Sequence, residues 1–217
     1  MAEDIIDATP GIWGKDYSTD SATVQRSYDT LASGGAYDEA LQEWGYVGPQ
    51  TAAALALNYV PTSSRILDAA CGSGLTGTAL RQLGYTRIEG IDISEQSLRL
   101  AEATGAYART AQVDMQGSPL PYGDDTFDAV TFIGALTYFE TPEILREFCR
   151  IVRSGGHIVF SHRDDLMRDQ QYEEHLAALE RDGLWRPTFR TEAMPHLSQH
   201  PHYGGEIKVH YFIYEVE

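Results

Sequence analysis

The apolar positions change their period along the chain. From Ser21 they fall at helical spacing, with Val24, Tyr28 and Leu31 at i, i+4 and i+7. Ser33-Gly34-Gly35 interrupts the pattern, and Ala36 to Trp44 reads as a second short helix closed by Gly45. Pro49 then occupies a first-turn position ahead of an Ala/Leu-rich helix over Thr51 to Tyr59, which Pro61 stops. Beyond it, short apolar runs alternate with helical patterns. Ser64 to Ala69, Arg87 to Ile91, Tyr107 to Val113, Phe127 to Ile133 and His157 to Ser161 are predicted strands. The fourth is almost wholly apolar, as a strand buried on both faces would be. Helices are predicted over Leu75 to Leu83, Ser94 to about Thr104, from the Thr141-Pro142-Glu143 start to Val152, and over Gln170 to Asp182. Trp185 to Thr191 and Ile207 to Val216 read as closing strands around a loop long enough to suggest a role of its own. The alternation implies an α/β domain with a largely parallel sheet.

The junction of the first strand and its helix carries the first chemistry. Gly72, Gly74 and Gly77 have the G-x-G-x-x-G spacing of a nucleotide-binding turn, a weak signal alone. Asp68 sharpens it. A carboxylate at the strand end would repel the pyrophosphate of a dinucleotide, which disfavours an NAD-linked oxidoreductase. It suits a phosphate-free adenosine ligand with a cation at its other end. S-adenosylmethionine is such a ligand, and Asp68 would then help to hold its amino-acid end through the turn or through water. The alternative is an Asp that only caps the turn. Asp92 ends the second strand eighteen positions after Gly74, where a carboxylate can accept both ribose hydroxyls.

Composition narrows the partners. The chain has 217 residues and a net charge of −16, with 16 Lys and Arg against 32 acids, so a phosphate backbone is an unfavourable partner. No apolar stretch reaches membrane-spanning length. The two cysteines, Cys71 and Cys149, have no framework spacing. A reduced, cytoplasmic protein is expected, a monomer with a weak dimer as the alternative, and with no membrane association.

Taken together, Ile66 to Gly74, Gly90-Ile91-Asp92-Ile93-Ser94, Asp114-Met115, Leu120-Pro121 through Phe127-Asp128-Ala129-Val130, and Ser154-Gly155-Gly156 resemble a class I S-adenosylmethionine-dependent methyltransferase. The resemblance covers residues 20 to 217. Tyr28-Asp29, Ala32, Tyr37-Asp38, Gly134-Ala135-Leu136, Leu179-Glu180-Arg181 and Gly183-Leu184-Trp185 add a narrower likeness to the methyltransferase-like protein 27 group. It implies a Rossmann-like sheet of seven strands with the last antiparallel. Residues 20 to 60 would form a helical cap, 61 to 217 the core and 1 to 19 a loose start. It also implies that Ile93 lies against adenine, that Asp114 receives the adenine amine with Met115 at the ring, and that Ala70, Gly72, Gly74, Leu75 and Ile133 line the cofactor. Methyl transfer would leave S-adenosylhomocysteine as the product.

The remaining candidates stand beside plainer readings. Tyr28 and Tyr37 can hydrogen-bond the methionine carboxylate and shield the sulfonium, or serve as aromatic core. Gly134 and Tyr138 follow the fourth strand, where ligands of open α/β sheets bind, and Tyr138 would orient a substrate or simply line the site. His162 is a candidate general base and Arg163 a candidate anchor for an anionic group; a solvated strand end is the alternative for both. Cys71 has no partner base and reads as packing. His196, His200, His202 and His210 lack metal-ligand spacing, and their loop reads as a substrate lid, with no metal expected. The resulting expectation is methyl transfer to a small molecule at a hydroxyl or carboxylate oxygen. Protein or peptide methylation, or cofactor binding without turnover, are the competing readings.

Overall fold

The computed structural model describes residues 19–117, 119–139, 143–202 and 204–217. The expected loose start, apart from Thr19, and the Thr141-Pro142 helix start lie outside these residues.

Three helices come first: α1 (Ser21–Gly34), α2 (Tyr37–Glu43) and α3 (Gly48–Ala56). The Asp20 carboxylate caps α1 by accepting the Thr23 amide at 2.8 Å, and Gly35 ends it in the left-handed conformation. The core then alternates: β1 (Arg65–Ala69), α4 (Leu75–Gln82), β2 (Arg87–Asp92), α5 (Glu95–Ala103), β3 (Arg109–Gln112) and β4 (Phe127–Phe132). After a short turn of 3₁₀ helix (Leu136–Tyr138) come α6 (Glu143–Ile151), β5 (Val152–Arg163), α7 (Asp164–Asp169), α8 (Tyr172–Arg181), β6 (Trp185–Arg190), β7 (Met194–Pro195) and β8 (Lys208–Val216).

The sheet runs β3-β2-β1-β4-β5-β8-β6, with the two-residue β7 pairing only with β8. The first five strands are parallel, and β8 is antiparallel to β5, β6 and β7. This is the expected seven-strand path plus one short addition. β1 and β4 lie at the centre and are buried along nearly their whole length, because helices cover both faces. One face carries Leu67, Val130, Phe132, Phe148, Phe160 and Trp185. The other buries Ala52, Ala56, Leu80, Ile88 and Val159 beneath α3 and α4.

Several boundaries differ from the sequence-based expectation. Ser154-Gly155-Gly156 does not precede β5 but forms an offset within it, since β4 pairs at Phe127–Val152 and again at Ala129–His157. A Cβ on Gly156 would lie 2.6 Å from the Asp128 carbonyl oxygen, so the offset needs glycine. β5 also extends to Arg163, held there by β8. β3 shrinks to Arg109–Gln112, and the long closing loop supplies β7.

Phe160 is fully buried and stacks with Phe212 (4.8 Å), Tyr214 (5.9 Å) and Trp185 (6.0 Å), which joins β5 to β8 and β6. Phe160→Ala is expected to cost about 3–5 kcal/mol. Urea unfolding that shows a loss below about 1 kcal/mol would refute the importance of this stack.

Candidate active site

The carboxyl ends of β1, β2 and β4 open beneath the α1–α2 cap, and the gap forms a cavity. Its floor is the turn after β1. Ala70 and Gly72 both adopt positive φ, 54° and 53°, which bends the backbone sharply ahead of α4. Asp92, at the end of β2, fixes this bend. One carboxylate oxygen accepts the Gly72 amide at 2.8 Å and the other accepts the Ser94 amide at 2.9 Å. Burial raises the Asp92 pKa, and the three backbone amides of Ser94, Gly72 and Ile93 oppose that rise. Each oxygen keeps acceptor capacity toward the cavity, which Asp92 lines.

Of the candidate residues, Tyr28, Tyr37, Ala70, Gly72, Leu75, Asp92, Ile93, Asp114, Met115, Ile133, Gly134, Tyr138 and Arg163 all line this one cavity. Asp114 accepts Ser21 Oγ at 3.1 Å and the Gln116 amide at 3.0 Å, so it is fixed at the edge of the cap. Tyr28 and Tyr138 share a hydroxyl–hydroxyl hydrogen bond of 3.0 Å, and Tyr37 packs edge-on against Tyr28. Burial raises the pKa of all three phenols, so they are neutral hydrogen-bonding groups rather than bases. Gly134 donates its amide to Ser161 Oγ at 2.9 Å, tying the turn after β4 to β5. Arg163 is buried, and Asp165 holds its guanidinium through bonds of 3.0 and 2.6 Å.

Three candidates lie away from the cavity. Asp68 is buried beneath the turn, where it accepts the Tyr107 hydroxyl at 2.7 Å and the Thr131 hydroxyl at 2.8 Å. Burial, helped by nearby Asp92 and opposed by those two hydroxyls, pushes its pKa up to about 7. It braces the turn from behind. Gly74 begins α4 with φ 97°, and its Cβ position lies 3.0 Å from Ala101 Cα, so its small size serves α5 packing rather than ligand approach. Likewise a Cβ on Gly77 would strike the Tyr107 ring at 2.2 Å. His162 is only 2% exposed and packs on Tyr172 with ring centroids 4.3 Å apart. Strand alternation is the reason: Arg163 lines the cavity, so its neighbour His162 faces the other side of the sheet. Burial lowers its pKa to about 3, and the structure gives it no path to a substrate.

Other residues shape the site without having been assigned a binding role from the sequence. Asp29 accepts Ser94 Oγ at 2.6 Å and Asp38 accepts Ser73 Oγ at 2.7 Å, so the cap is latched onto the loops that hold the cavity floor. Both acids follow the candidate tyrosines directly, Tyr28-Asp29 and Tyr37-Asp38. Tyr46, His196, Leu197 and Ile207 complete the wall. The closing loop sits on the cap through a Tyr46–Leu197 bridge and a Gln199 amide bond to the Trp44 carbonyl at 2.9 Å. The histidines do not converge on one point: His196 meets Tyr46, His200 meets Trp44 and accepts the His202 amide, and His210 in β8 bonds Asp164 and the Thr191 carbonyl. Among the described residues no group of three His, Cys, Asp or Glu is arranged to hold a metal.

A methyltransferase domain model matches residues 67–160, from β1 to β5. Human methyltransferase-like protein 27 is 34% identical over 156 residues, 69% of this chain and 63% of that protein. Residues 67–160 thus carry a methyltransferase domain, and the chain has the class I S-adenosylmethionine-dependent methyltransferase fold. The demethylmenaquinone methyltransferase of Bacillus licheniformis is 35% identical over 104 residues, 46% of this chain and 45% of that protein. The chain thus spans less than two thirds of each of these relatives. The [4+2]-cyclase SpnF shares the fold at 17% identity, with a TM-score of 0.67 over 90% of this chain and 96% of its own. Solved chains from Methanosarcina mazei and Mesorhizobium loti with this fold are S-adenosylmethionine-dependent methyltransferases. The cavity fits that cofactor: the buried Asp92 carboxylate, with spare acceptor capacity, and apolar Ile93 and Met115 all line it.

Asp92→Ala removes both the turn's anchor and the carboxylate expected to accept the ribose hydroxyls, so S-adenosylhomocysteine affinity is expected to fall more than about tenfold, in line with ~1.5–3 kcal/mol for a charge-assisted bond. Near-unchanged calorimetric titration would contradict it. Asp68 gives a pH signature. Its folded pKa is raised, so its contribution to stability is fully present below the unfolded carboxyl pKa and lost as pH rises through about 7. Asp68→Asn is expected to remove this slope, so that its stability relative to wild type improves between pH 4 and 7 and then levels off. A pH-independent difference in denaturation midpoints would exclude the buried-acid assignment.

Proposed function

We propose that this methyltransferase moves the methyl group of S-adenosylmethionine onto an oxygen of a small-molecule acceptor, a hydroxyl or a carboxylate. The observation that carries this reading is a partly covered cleft, with the latched cap on one side and Tyr46, Leu197 and Ile207 of the cap and closing loop on the other. Such a site takes a compact ligand more readily than a folded protein or a nucleic-acid strand. The net charge of −16 also weighs against nucleic acid. The name of the bacterial relative, a demethylmenaquinone methyltransferase, adds support for a small acceptor.

When bound, the cofactor supplies a methyl carbon already activated by the sulfonium. The chain's own part is positioning. Asp92 would accept the ribose hydroxyls, Ile93 and Met115 would flank adenine, and Asp114 would accept its amine. Tyr28 and Tyr37 would meet the methionine end. Tyr138 and Arg163 would orient the acceptor above Gly134. Alignment of an activated methyl with an acceptor supplies most of the acceleration that such a displacement needs. No described helix is long and apolar enough to cross a membrane. Two buried free thiols, Cys71 and Cys149, support a reduced, cytoplasmic setting, and a monomer is part of the same proposal.

Methyl-labelled cofactor incubated with the protein and a metabolite extract tests the reading. Label is expected in a compound of small mass. Label confined to protein would favour peptide methylation, and tight cofactor binding with no transfer to any fraction would favour a non-catalytic binder.

A further inference from the structure

With His162 turned away, the loop side of the cavity defines how an acceptor can be held. Leu197 and Ile207 offer no side-chain hydrogen bond, so polarity there comes from Arg163, His196 and Tyr46. His196 is well fixed. Its amide donates to the Ile207 carbonyl at 3.0 Å, and its ring stands edge-on to Tyr46 at 5.3 Å. Its Nδ1 is fully enclosed and meets no hydrogen-bond partner among the described residues, whereas the ring itself lines the cavity. Nε2 is therefore the nitrogen a ligand can reach. An enclosed N–H without an acceptor costs more than an enclosed lone pair, which assigns the proton to Nε2. Burial, and secondarily the charge of Arg163, lowers the His196 pKa to about 4, so the ring is neutral at physiological pH. Arg163 reaches the same cavity with its guanidinium plane set by Asp165.

We infer that His196 Nε2–H and the Arg163 guanidinium together hold an acidic oxygen acceptor, such as a phenol, an enol or a carboxylic acid, that reacts as its anion. Both groups donate and neither accepts a proton, so the site stabilises an oxyanion and requires no general base. The step balances without a proton: the oxyanion's electron pair forms the O–CH₃ bond, the C–S bond breaks, and its pair remains on sulfur, cancelling both charges. This rests on the small-molecule reading above and narrows it to acceptors that lose their proton before methyl transfer.

4-Nitrophenol, whose anion absorbs visibly, is the probe, titrated spectrophotometrically against protein loaded with S-adenosylhomocysteine. Wild type is expected to bind it and to lower its apparent pKa by about one unit, a tenfold shift toward the anion. His196→Phe keeps a ring against Tyr46 but removes the donor, and it should abolish the shift while leaving S-adenosylhomocysteine affinity and circular dichroism intact. His196→Gln restores an N–H and should recover part of the shift. Absence of probe binding at millimolar concentration, or an equal shift in His196→Phe, overturns the inference. Transfer of label only to protein would instead overturn the small-molecule reading while leaving this binding result standing.

Discussion

The Asp92 carboxylate is the interaction on which the site depends. Its two oxygens take the Gly72 and Ser94 amides, so one side chain joins the turn after β1 to the start of α5. Both segments are loops whose amides would otherwise be unpaired near the cavity, and a buried unpaired amide is costly. The cap depends on the same two loops, because Asp38 bonds Ser73 and Asp29 bonds Ser94. Three carboxylates therefore hold floor and roof together through hydrogen bonds to neutral donors. In a chain of net charge −16 this arrangement uses the abundant acids as acceptors, without matching each one to a scarce cation.

Beneath that layer, Tyr107 occupies the space that glycines leave open. Its hydroxyl donates to Asp68 and accepts the Gly77 amide at 3.1 Å, and its ring fills the volume that Cβ atoms on Gly77 and Gly90 would need. The glycine-rich motif thus has two separate physical functions. Gly72 bends the backbone at the cavity, whereas Gly74 and Gly77 admit α5 and Tyr107. Motif spacing alone cannot separate these uses, since both demand a missing side chain.

The fold was readable because its signals are local. Apolar runs, proline and glycine stops, and acids at strand ends place β1 through β5 within a few residues of their observed limits. The exceptions follow from partners distant in sequence: β5 gains its last two residues by pairing with β8, and the offset at Ser154-Gly155-Gly156 exists only against β4. The cavity lining was readable for the same reason, because it is built from strand ends. His162 was misplaced because adjacent residues on a strand face opposite ways, and register alone decides which of His162 and Arg163 meets the cavity. The lid reading covered the loop of His196 but could not single it out among four histidines, since its position depends on a loop crossing back to Tyr46 on the cap.

That crossing joins the two walls of the cavity. The closing loop contributes His196 and Leu197 to the acceptor side, yet it is supported by Trp44 and Tyr46, which follow directly on α2. The same α2 carries Tyr37 and the Asp38 latch to the cofactor-side turn. Any displacement of α2 would therefore disturb both the turn after β1 and the loop wall. The wall formed by the closing loop thus rests on a cap that is itself held by Ser73 and Ser94, the two hydroxyls beside the cavity floor.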